Sequence, residues 1–387
     1  VLDTVPVGTP VDITAALDGL EQGAAVMRAL PTYRRVEILR RTAQLMAEQQ
    51  EDLARLISRE EGKVLAEGRI EAGRAMETLD LSADAARDLH GETVPLDATP
   101  GGVGKLGFTL RVPCGIVAAI TPFNFPLNLV AHKIGPAIAG GNAVLLKPAS
   151  DTPLSALKLV ELLLEAGLPE EAIACVTGPG GELGEAICAD ARVRKISFTG
   201  SAEVGEAITR AAGLKRVTME LGSNSPVIVL DDADVAKVAR TLAVTGYANA
   251  GQVCISSQRV IATPGAHADL LDALRTEVQQ LVAGDPLAEG TQVGPLIRER
   301  DAARVETWLG EAVTQGAELL CGGSREGAVV QPALLANVAP EMKLSCEELF
   351  GPALGVTRAP DVESAIALAN ETRFGLSAAV FTQDIDR

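Results

Sequence analysis

The sequence is poor in aromatic, histidine and basic residues. Only 3% of its 387 residues are aromatic, and three are histidine. Its 51 acidic residues outnumber its 34 basic residues, which gives a formal net charge of −17. This charge disfavours nucleic acid and anionic membranes as partners. No uncharged apolar run approaches the length of a membrane span, and residues 1–10 lack the regions of a signal peptide.

Cysteine is also sparse and scattered. No two of the six cysteines have CxxC spacing, and with only three histidines in the chain no zinc or other metal site is expected. Unclustered thiols are typical of a reducing compartment, so we expect a cytoplasmic protein. Cys114, Cys175 and Cys188 lie in or beside apolar segments and are predicted to belong to the core.

The N-terminal part of the chain predicts helices followed by a hairpin. Apolar residues recur at helical spacing between Thr14 and Leu89, with charged residues between them. From Glu92 to Val112 the pattern becomes alternating, with Pro and Gly near residues 100–102. This pattern indicates a β-hairpin whose turn lies near those residues.

A regular alternation of strands and helices follows. Short buried strands are predicted at 116–120, 143–147, 174–176, 195–198 and 217–220, with helices at 126–138, 153–166, 181–189 and 201–212. Such alternation predicts an α/β fold with a parallel sheet covered on both faces, and ligands beyond the carboxyl ends of its strands. Thr152-Pro153 is predicted to start a helix, with the threonine hydroxyl as its cap.

A second α/β block begins after Gly222. Its predicted strands are 227–229 and 258–261, and its predicted helices are 234–247, 267–282, 298–315 and 361–370. We therefore expect two domains, 1–221 and 222–387.

Two short segments carry the most distinctive chemistry. Gly251-Gln252-Val253-Cys254 places a cysteine in a small loop, and Met219-Glu220-Leu221-Gly222 places a carboxylate at a strand end. A thiol that attacks a carbonyl and a carboxylate that then activates water would together oxidise an aldehyde to an acid.

Other candidate residues follow the predicted strands, and each has a simpler alternative. Gly200 and Ser201 open a helix and are suited to a phosphate, but an ordinary strand-to-helix turn explains them equally well. Lys147 ends a strand, where it is either a contact to ribose or phosphate or a surface lysine. Asn124 offers an amide to a developing oxyanion, although a turn asparagine is the commoner interpretation.

Six segments, taken together, resemble the aldehyde dehydrogenase superfamily. They occur in the order typical of that family and cover nearly the whole chain. They are PFNFP at 122–126, GGNAVLLKPA at 140–149, FTGSAEVG at 198–205, MELGSNSP at 219–226, GQVCISSQR at 251–259 and EELFGP at 347–352.

The resemblance implies a fold and residue roles. It implies a Rossmann-type NAD(P)-binding domain at 1–221, a catalytic domain at 222–387 and a bridging hairpin at 92–112. It makes Cys254 the nucleophile, Glu220 the general base and Asn124 the oxyanion donor. The residues that it assigns to the cofactor are Thr121, Pro122, Lys147, Ser150, Gly200, Ser201, Glu348 and Phe350.

The implied reaction is NAD(P)+-dependent oxidation of an aldehyde through a thioester on Cys254, which water then hydrolyses. The expected substrate is a small hydroxy-, semi- or phospho-aldehyde, with Arg111 as either an anion contact or a surface arginine. Ser150 stands where many NAD-preferring relatives carry glutamate, which predicts that NADP+ is accepted or preferred. The alternatives are a CoA-acylating enzyme, which Glu220 opposes, and an inactive nucleotide-binding protein.

The resemblance also bears on assembly. A homodimer or homotetramer is expected for the full-length protein, because the hairpin of such enzymes pairs with a neighbouring subunit. The chain is shorter at its C-terminus than is usual in the superfamily, so we expect the hairpin edge to be unpaired and this chain to assemble poorly.

Overall fold

Two groups of strands organise the chain into two units. The computed structural model describes residues 2–386. The first unit contains residues up to 56 together with 69–220, and the second contains 57–68 together with the chain from 221 onward. Residues 57–68, expected from the sequence in the first domain, thus cluster with the second unit.

Four helices open the chain. The first begins with a capping box in which Thr9 and Asp12 bond to each other's backbone, and Pro10 occupies its first turn. Its buried residues recur every three or four positions, as the helical pattern predicts. No helix within residues 2–386 is both long and apolar enough to cross a membrane. The four helices are α1 (Pro10–Ala29), α2 (Thr32–Glu48), α3 (Gln50–Glu61) and α4 (Leu65–Arg87).

The predicted hairpin is present but short. Strands β1 (Thr93–Val94) and β2 (Gly107–Phe108) pair antiparallel, and two turns of 3-10 helix lie between them. Side chains on this hairpin face solvent: Leu106 is 83% exposed and Phe108 61%. A large apolar area is therefore uncovered within the single chain.

The first unit contains a five-stranded parallel sheet in the order β5-β4-β3-β6-β7. The predicted α/β fold with a parallel sheet is therefore confirmed, with strand ends shifted by at most two residues. The prediction that all five strands are buried is wrong for β7, which lies at the edge of the sheet and is largely exposed. The strands are β3 (Ile116–Ile120), β4 (Ala143–Lys147), β5 (Ile173–Cys175), β6 (Val193–Thr199) and β7 (Arg216–Glu220). The helices are α5 (Asn128–Ala139), α6 (Leu154–Glu165), α7 (Gly180–Ala189) and α8 (Ala202–Ala212).

The predicted cap of α6 is wrong. The N-cap residue is Pro153, not Thr152, and the Pro153 side chain forms no capping hydrogen bond. The Thr152 hydroxyl instead donates to the carbonyl of Phe123, 3.3 Å away. The threonine thus links the start of α6 to the loop after β3, a long-range contact that local sequence does not reveal.

The second unit contains a six-stranded sheet in the order β10-β13-β14-β9-β8-β15, in which only β10 is antiparallel to its neighbour. From residue 221 onward, the first strands and helices of the second unit are β8 (Pro226–Val229), α9 (Val235–Thr245), β9 (Arg259–Ala262), α10 (Pro264–Gln279) and α11 (Glu299–Thr314). Those that follow are β10 (Glu318–Cys321), β11 (Arg325–Glu326), β12 (Val329–Val330), β13 (Ala333–Ala336), α12 (Lys343–Cys346), β14 (Ala353–Arg358), α13 (Val362–Asn370) and β15 (Ala379–Phe381).

Strands β10–β15 were not predicted from the sequence. The central strand β13 has the sequence ALLA and is buried at every position. Unlike β3 and β4, which are also buried throughout, β13 has only four residues and is not followed by a long helix, so the alternation of strands and helices does not reveal it. Strands β10, β13, β14 and β15 complete the six-stranded sheet of the second unit, whereas β11 and β12 pair with each other in a separate sheet.

Candidate active site

The carboxyl ends of the first unit's strands gather several predicted residues at one edge. Thr121 follows β3, Lys147 ends β4, Gly200 and Ser201 follow β6, and Glu220 ends β7. These strands are neighbours in a parallel sheet, so their ends share the edge at which α/β folds bind ligands.

Lys147 is buried at this edge. Its side chain is only 3% exposed, and Nζ donates to the carbonyl oxygen of Pro148 at 2.7 Å. Burial lowers the pKa of this amine, partly offset by Cys175 and Asp151. The lysine is therefore held in place and is not a surface residue.

The same edge holds hydroxyl groups. The Oγ1 atom of Thr121 is buried and has no hydrogen-bond partner within residues 2–386. Ser150 is exposed and donates to the carbonyl oxygen of Gly178 at 2.8 Å. Pro122 is half-buried directly after Thr121. The Thr121 amide donates to the Lys147 carbonyl at 3.2 Å, so this unsatisfied hydroxyl and the buried amine belong to adjacent chain segments whose polar groups are suited to a sugar or phosphate.

Gly200 and Ser201 form the turn from β6 into α8. The Gly200 amide donates to the Glu220 carbonyl at 3.1 Å, which ties this turn to the end of β7. A Cβ atom on Gly200 would lie 2.5 Å from the Phe198 ring. Ser201 caps α8 by accepting from the amide of Val204. The Gly200 amide is thus already bonded, and the exposed Ser201 lies at the positive end of α8, a position that suits an anion.

Asn124 precedes α5 and is 3% exposed. The start of this helix is fixed by the buried carboxylate of Glu71, which accepts from the amides of Leu127 at 3.0 Å and Asn128 at 3.1 Å. A carboxylate at a helix N-terminus satisfies its free amides and complements its dipole. Glu71, which the sequence patterns did not single out, thus positions the segment that carries Asn124.

Lys133 is a second buried lysine in the first unit and was not predicted. Its amine donates to Thr199 Oγ1 at 2.8 Å and to Ser197 Oγ at 3.3 Å, which connects α5 to β6. Burial lowers its pKa to about 8, opposed by the negative charge of Glu220. The sequence feature that could have indicated Lys133 is a single lysine within the apolar sequence NLVAHKIGPAIA.

Cys254 follows an unusual left-handed segment in the second unit. Asn249 and Ala250 have φ values of 50° and 53°, and Gly251 has a φ of 72°. A non-glycine residue in this conformation costs about 1–2 kcal/mol. A Cβ on Gly251 would lie 2.1 Å from the Gly351 carbonyl oxygen, so only glycine fits there. Cys254 itself is half-buried.

Hydrogen bonds hold this strained segment. Glu67 accepts from the Asn249 amide at 2.9 Å, and Glu61 accepts from the Asn249 side chain at 2.9 Å. Gln252 donates to the Asn249 carbonyl at 3.1 Å and accepts from the Ile297 amide at 2.9 Å. Bonds to charged groups contribute about 1.5–3 kcal/mol each, enough to offset the backbone strain. The loop that presents Cys254 is therefore rigid.

Glu348 and Phe350 lie on a similarly anchored segment of the second unit. Glu348 accepts from the Ser223 amide at 2.9 Å, and a Cβ on Gly222 would lie 2.3 Å from its Oε2. Gln258 donates to the Glu347 carbonyl and accepts from the Leu349 amide. Phe350 has a φ of 50°. The glycine of the MELGSNSP motif is thus needed so that the Glu348 carboxylate can approach the backbone.

Three other thiols are unsuited to nucleophilic attack. Burial raises the pKa of Cys175 to about 12 and raises those of Cys188 and Cys321 above the usual range. Thiols with such pKa values stay protonated near neutral pH and react slowly. Of the predicted core cysteines, Cys188 is buried, whereas Cys114 and Cys175 are only partly buried.

A sequence model of the family described as "Aldehyde dehydrogenase family" matches residues 1–387. The chain belongs to the aldehyde dehydrogenase family. Among curated relatives, 3-sulfolactaldehyde dehydrogenase of Priestia aryabhattai is 43% identical over 381 residues, covering 98% of this chain and 80% of the relative. The succinate-semialdehyde dehydrogenase [NADP(+)] of Escherichia coli is 39% identical over 391 residues, covering 100% and 80%.

Solved structures of the family have the same fold. The glyceraldehyde-3-phosphate dehydrogenase of Methanocaldococcus jannaschii, solved in complex with NADP, superposes with a TM-score of 0.95 at 37% identity, covering 100% of this chain and 84% of that one. The predicted family, fold class and aldehyde dehydrogenase activity are therefore confirmed. The roles of individual residues stay predictions.

Proposed function

We propose that the protein oxidises a small aldehyde bearing an acidic or hydroxyl group to the carboxylic acid, with NAD(P)+ as oxidant. The observation that carries the proposal is the rigid, strained loop at Asn249–Gly251, which presents the half-buried Cys254. Backbone strain maintained by several hydrogen bonds is typical of catalytic loops. The named activities of the relatives support an acidic substrate, since sulfolactaldehyde, succinate semialdehyde and glyceraldehyde 3-phosphate all carry an anionic group.

Each proposed chemical role belongs to a named residue. Cys254 attacks the aldehyde carbon as a thiolate, and the Asn124 amide donates to the oxyanion that forms. The bound nicotinamide coenzyme supplies the hydride acceptor. The product of this half-reaction is a thioester on Cys254. Glu220 then removes a proton from water, which attacks the thioester and releases the acid and the thiol.

The residues of the strand-end edge fit the proposed coenzyme. The Lys147 amine and the unsatisfied Thr121 hydroxyl would bind ribose hydroxyls, and the turn at Gly200 and Ser201, which leads into the positive end of α8, would bind the pyrophosphate. In the second unit, Glu348 would bind a ribose, with Phe350 beside the nicotinamide.

An aldehyde panel tests the proposed function. Succinate semialdehyde, lactaldehyde, glyceraldehyde 3-phosphate and butanal would each be incubated with NAD+ or NADP+, and the reduced coenzyme and the acid would be quantified. Equimolar acid and reduced coenzyme without added thiol would support the hydrolytic reaction. A strict requirement for CoA and formation of acyl-CoA would instead establish the acylating reaction.

Coenzyme choice is expected to depend on Ser150. Ser150→Glu would place a carboxylate where we propose that the adenosine ribose binds, and would repel a 2′-phosphate. The ratio of kcat/KM for NADP+ to that for NAD+ should fall by about tenfold to a hundredfold. Ser150→Ala is the matched control, because it removes the bond to Gly178 without adding charge. A wild-type enzyme with strong NAD+ preference, or an unchanged ratio in Ser150→Glu, would contradict this proposal.

We also propose that the exposed hairpin is a contact between copies of this chain in homodimers or homotetramers. Its side chains Leu106 and Phe108 lack cover within the chain. The double substitution of Leu106→Asp and Phe108→Asp should therefore reduce the sedimentation coefficient of the protein. Leu214→Asp, which changes a fully exposed leucine in another loop, should leave the assembly intact. Identical sedimentation of the double variant and wild type would refute the role of the hairpin.

A further inference from the structure

A cleft of about 440 Å³ lies at the amino ends of strands β3 and β6 in the first unit. It is lined by residues of α1, by the start of β3 and by residues around the start of β6. The charged and thiol side chains of the lining are those of Glu21, Arg28, Cys114, Arg192 and Arg194. Thr121 and Gly200 follow the opposite ends of these two strands. The cleft is therefore roughly 15 Å from the edge at which we propose that the coenzyme binds.

One wall of the cleft is fixed by Asn142. Its Oδ1 atom accepts from the amides of Cys114 at 2.8 Å and Gly115 at 3.2 Å, and the Cys114 thiol donates to it at 3.2 Å. Gly115 has a φ of 118°, and a Cβ atom there would lie 3.4 Å from Cγ of Arg194. The stem of Arg194 thus packs on this glycine. Because the segment is ordered without a ligand, binding there costs little rearrangement.

The charge of Arg192 is balanced within the first unit. Its Nε atom donates to Asp190 Oδ1 at 3.0 Å, and Nη2 donates to Asp190 Oδ2 at 2.7 Å. Its Nη1 atom bonds to the carboxylate of Asp18. Arg192 therefore forms part of the wall, and the cation sites of the cleft must be sought elsewhere.

Arg28 and Arg194 differ from Arg192 because their guanidinium groups are unpaired. Both residues are exposed, and neither forms an ion pair or a side-chain hydrogen bond within residues 2–386. Glu21 is the acidic residue of the lining, and it too has no ion pair in that range. In a chain with a formal net charge of −17, two unpaired arginines in one concavity create a local positive potential.

We propose that this cleft binds a phosphate group, as free phosphate or as a small phosphate ester, between the guanidinium groups of Arg28 and Arg194. A phosphate group carries a charge of about −1.5 to −2 near neutral pH, which matches two arginines better than a carboxylate does. Its oxygens also suit the planar donors of guanidinium groups. The volume of the cleft is typical of small-molecule sites. This inference goes beyond the proposed function, since the cleft lies at the other end of the strands from the coenzyme edge.

The thiol of Cys114 allows the cleft to be tested directly. It is half-buried and lines the cleft, so its alkylation by neutral iodoacetamide reports on this site whether or not the protein oxidises an aldehyde. Inorganic phosphate in place of chloride, at constant ionic strength, should slow alkylation about tenfold when present at about ten times its Kd. Mass spectrometry of the Cys114 peptide measures the rate. Protection by glycerol 3-phosphate at a lower concentration than phosphate would identify an ester as the occupant, and the reverse would identify the free ion.

Variants of the cleft test whether its charges cause the protection. The double substitution of Arg28→Gln and Arg194→Gln should raise the phosphate concentration needed for half-protection about tenfold or more, whereas lysine at both positions should retain part of the affinity. Glu21→Gln removes a repelling charge and should lower that concentration, a gain that unfolding could not produce.

Arg87→Gln is the matched control for these variants. Arg87 is also exposed and unpaired within residues 2–386, but it lines a different cleft of the same unit, so its substitution should leave the protection of Cys114 unchanged. Equal alkylation of the wild-type protein in phosphate and chloride, or full protection of the double glutamine variant, would overturn the inference.

Discussion

Cys254→Ser should reduce aldehyde oxidation by about 10³-fold or more, because a hydroxyl is a far weaker nucleophile than a thiolate near neutral pH. The substitution changes one atom in a loop held by Glu61, Glu67 and Gln252, so the fold should be retained. The rate of NAD(P)H formation with the best aldehyde of the panel measures the loss. Coenzyme affinity, measured by fluorescence quenching, should change little.

Cys346→Ser is the matched control for this experiment. Cys346 is half-buried in the same unit and lies two residues before Glu348. Its substitution should leave the rate within about threefold of wild type, since serine is close to cysteine in size and Cys346 has no proposed role in the chemistry. Activity of Cys254→Ser close to that of wild type, or an equal loss in both variants, would remove Cys254 as the nucleophile.

The first sheet was largely predictable from the sequence because its strands are simple. Strands β3 and β4 are uniformly buried apolar segments, followed by turn residues and apolar helices, and the predicted bounds match the structure. The second sheet was harder to predict from the sequence. Most of its late strands have three or four residues, β13 has alanine at both ends, and β10 contains an irregularity in its pairing with β13. Their conformation is determined by neighbours distant in the chain.

The residues of the candidate site likewise fall into those that the sequence indicates and those that it does not. Residues with a specific local context, such as Cys254 and Glu220, were found from motifs. Residues that act through long-range contacts were missed, because no local pattern identifies them. Glu71 bonds to amides 56 and 57 positions away, and Glu61 bonds to a side chain 188 positions away. A glutamate or lysine in a helix is usually a solvated residue, so the sequence alone favours the wrong interpretation for buried ones.

The substitution Glu220→Gln should separate the two halves of the proposed reaction. Glutamine keeps the shape of the side chain but cannot accept a proton from water, so thioester hydrolysis should slow by about 10²–10⁴-fold. Formation of the thioester precedes this step and should be affected much less. Rapid mixing of enzyme, coenzyme and succinate semialdehyde should therefore give a burst of about one NAD(P)H per active site, followed by slow turnover.

The controls for Glu220→Gln test whether the effect belongs to this carboxylate. Glu206→Gln changes an exposed glutamate of α8 in the same unit and should give wild-type turnover without a new burst. Mass spectrometry of the Glu220→Gln protein during slow turnover should detect the acyl group on the peptide containing Cys254. If hydride transfer and turnover slowed equally and no acyl-enzyme accumulated, Glu220 would act before or during attack by the thiol. Its proposed role in activating water would then have to be abandoned, while Cys254 could still be the nucleophile.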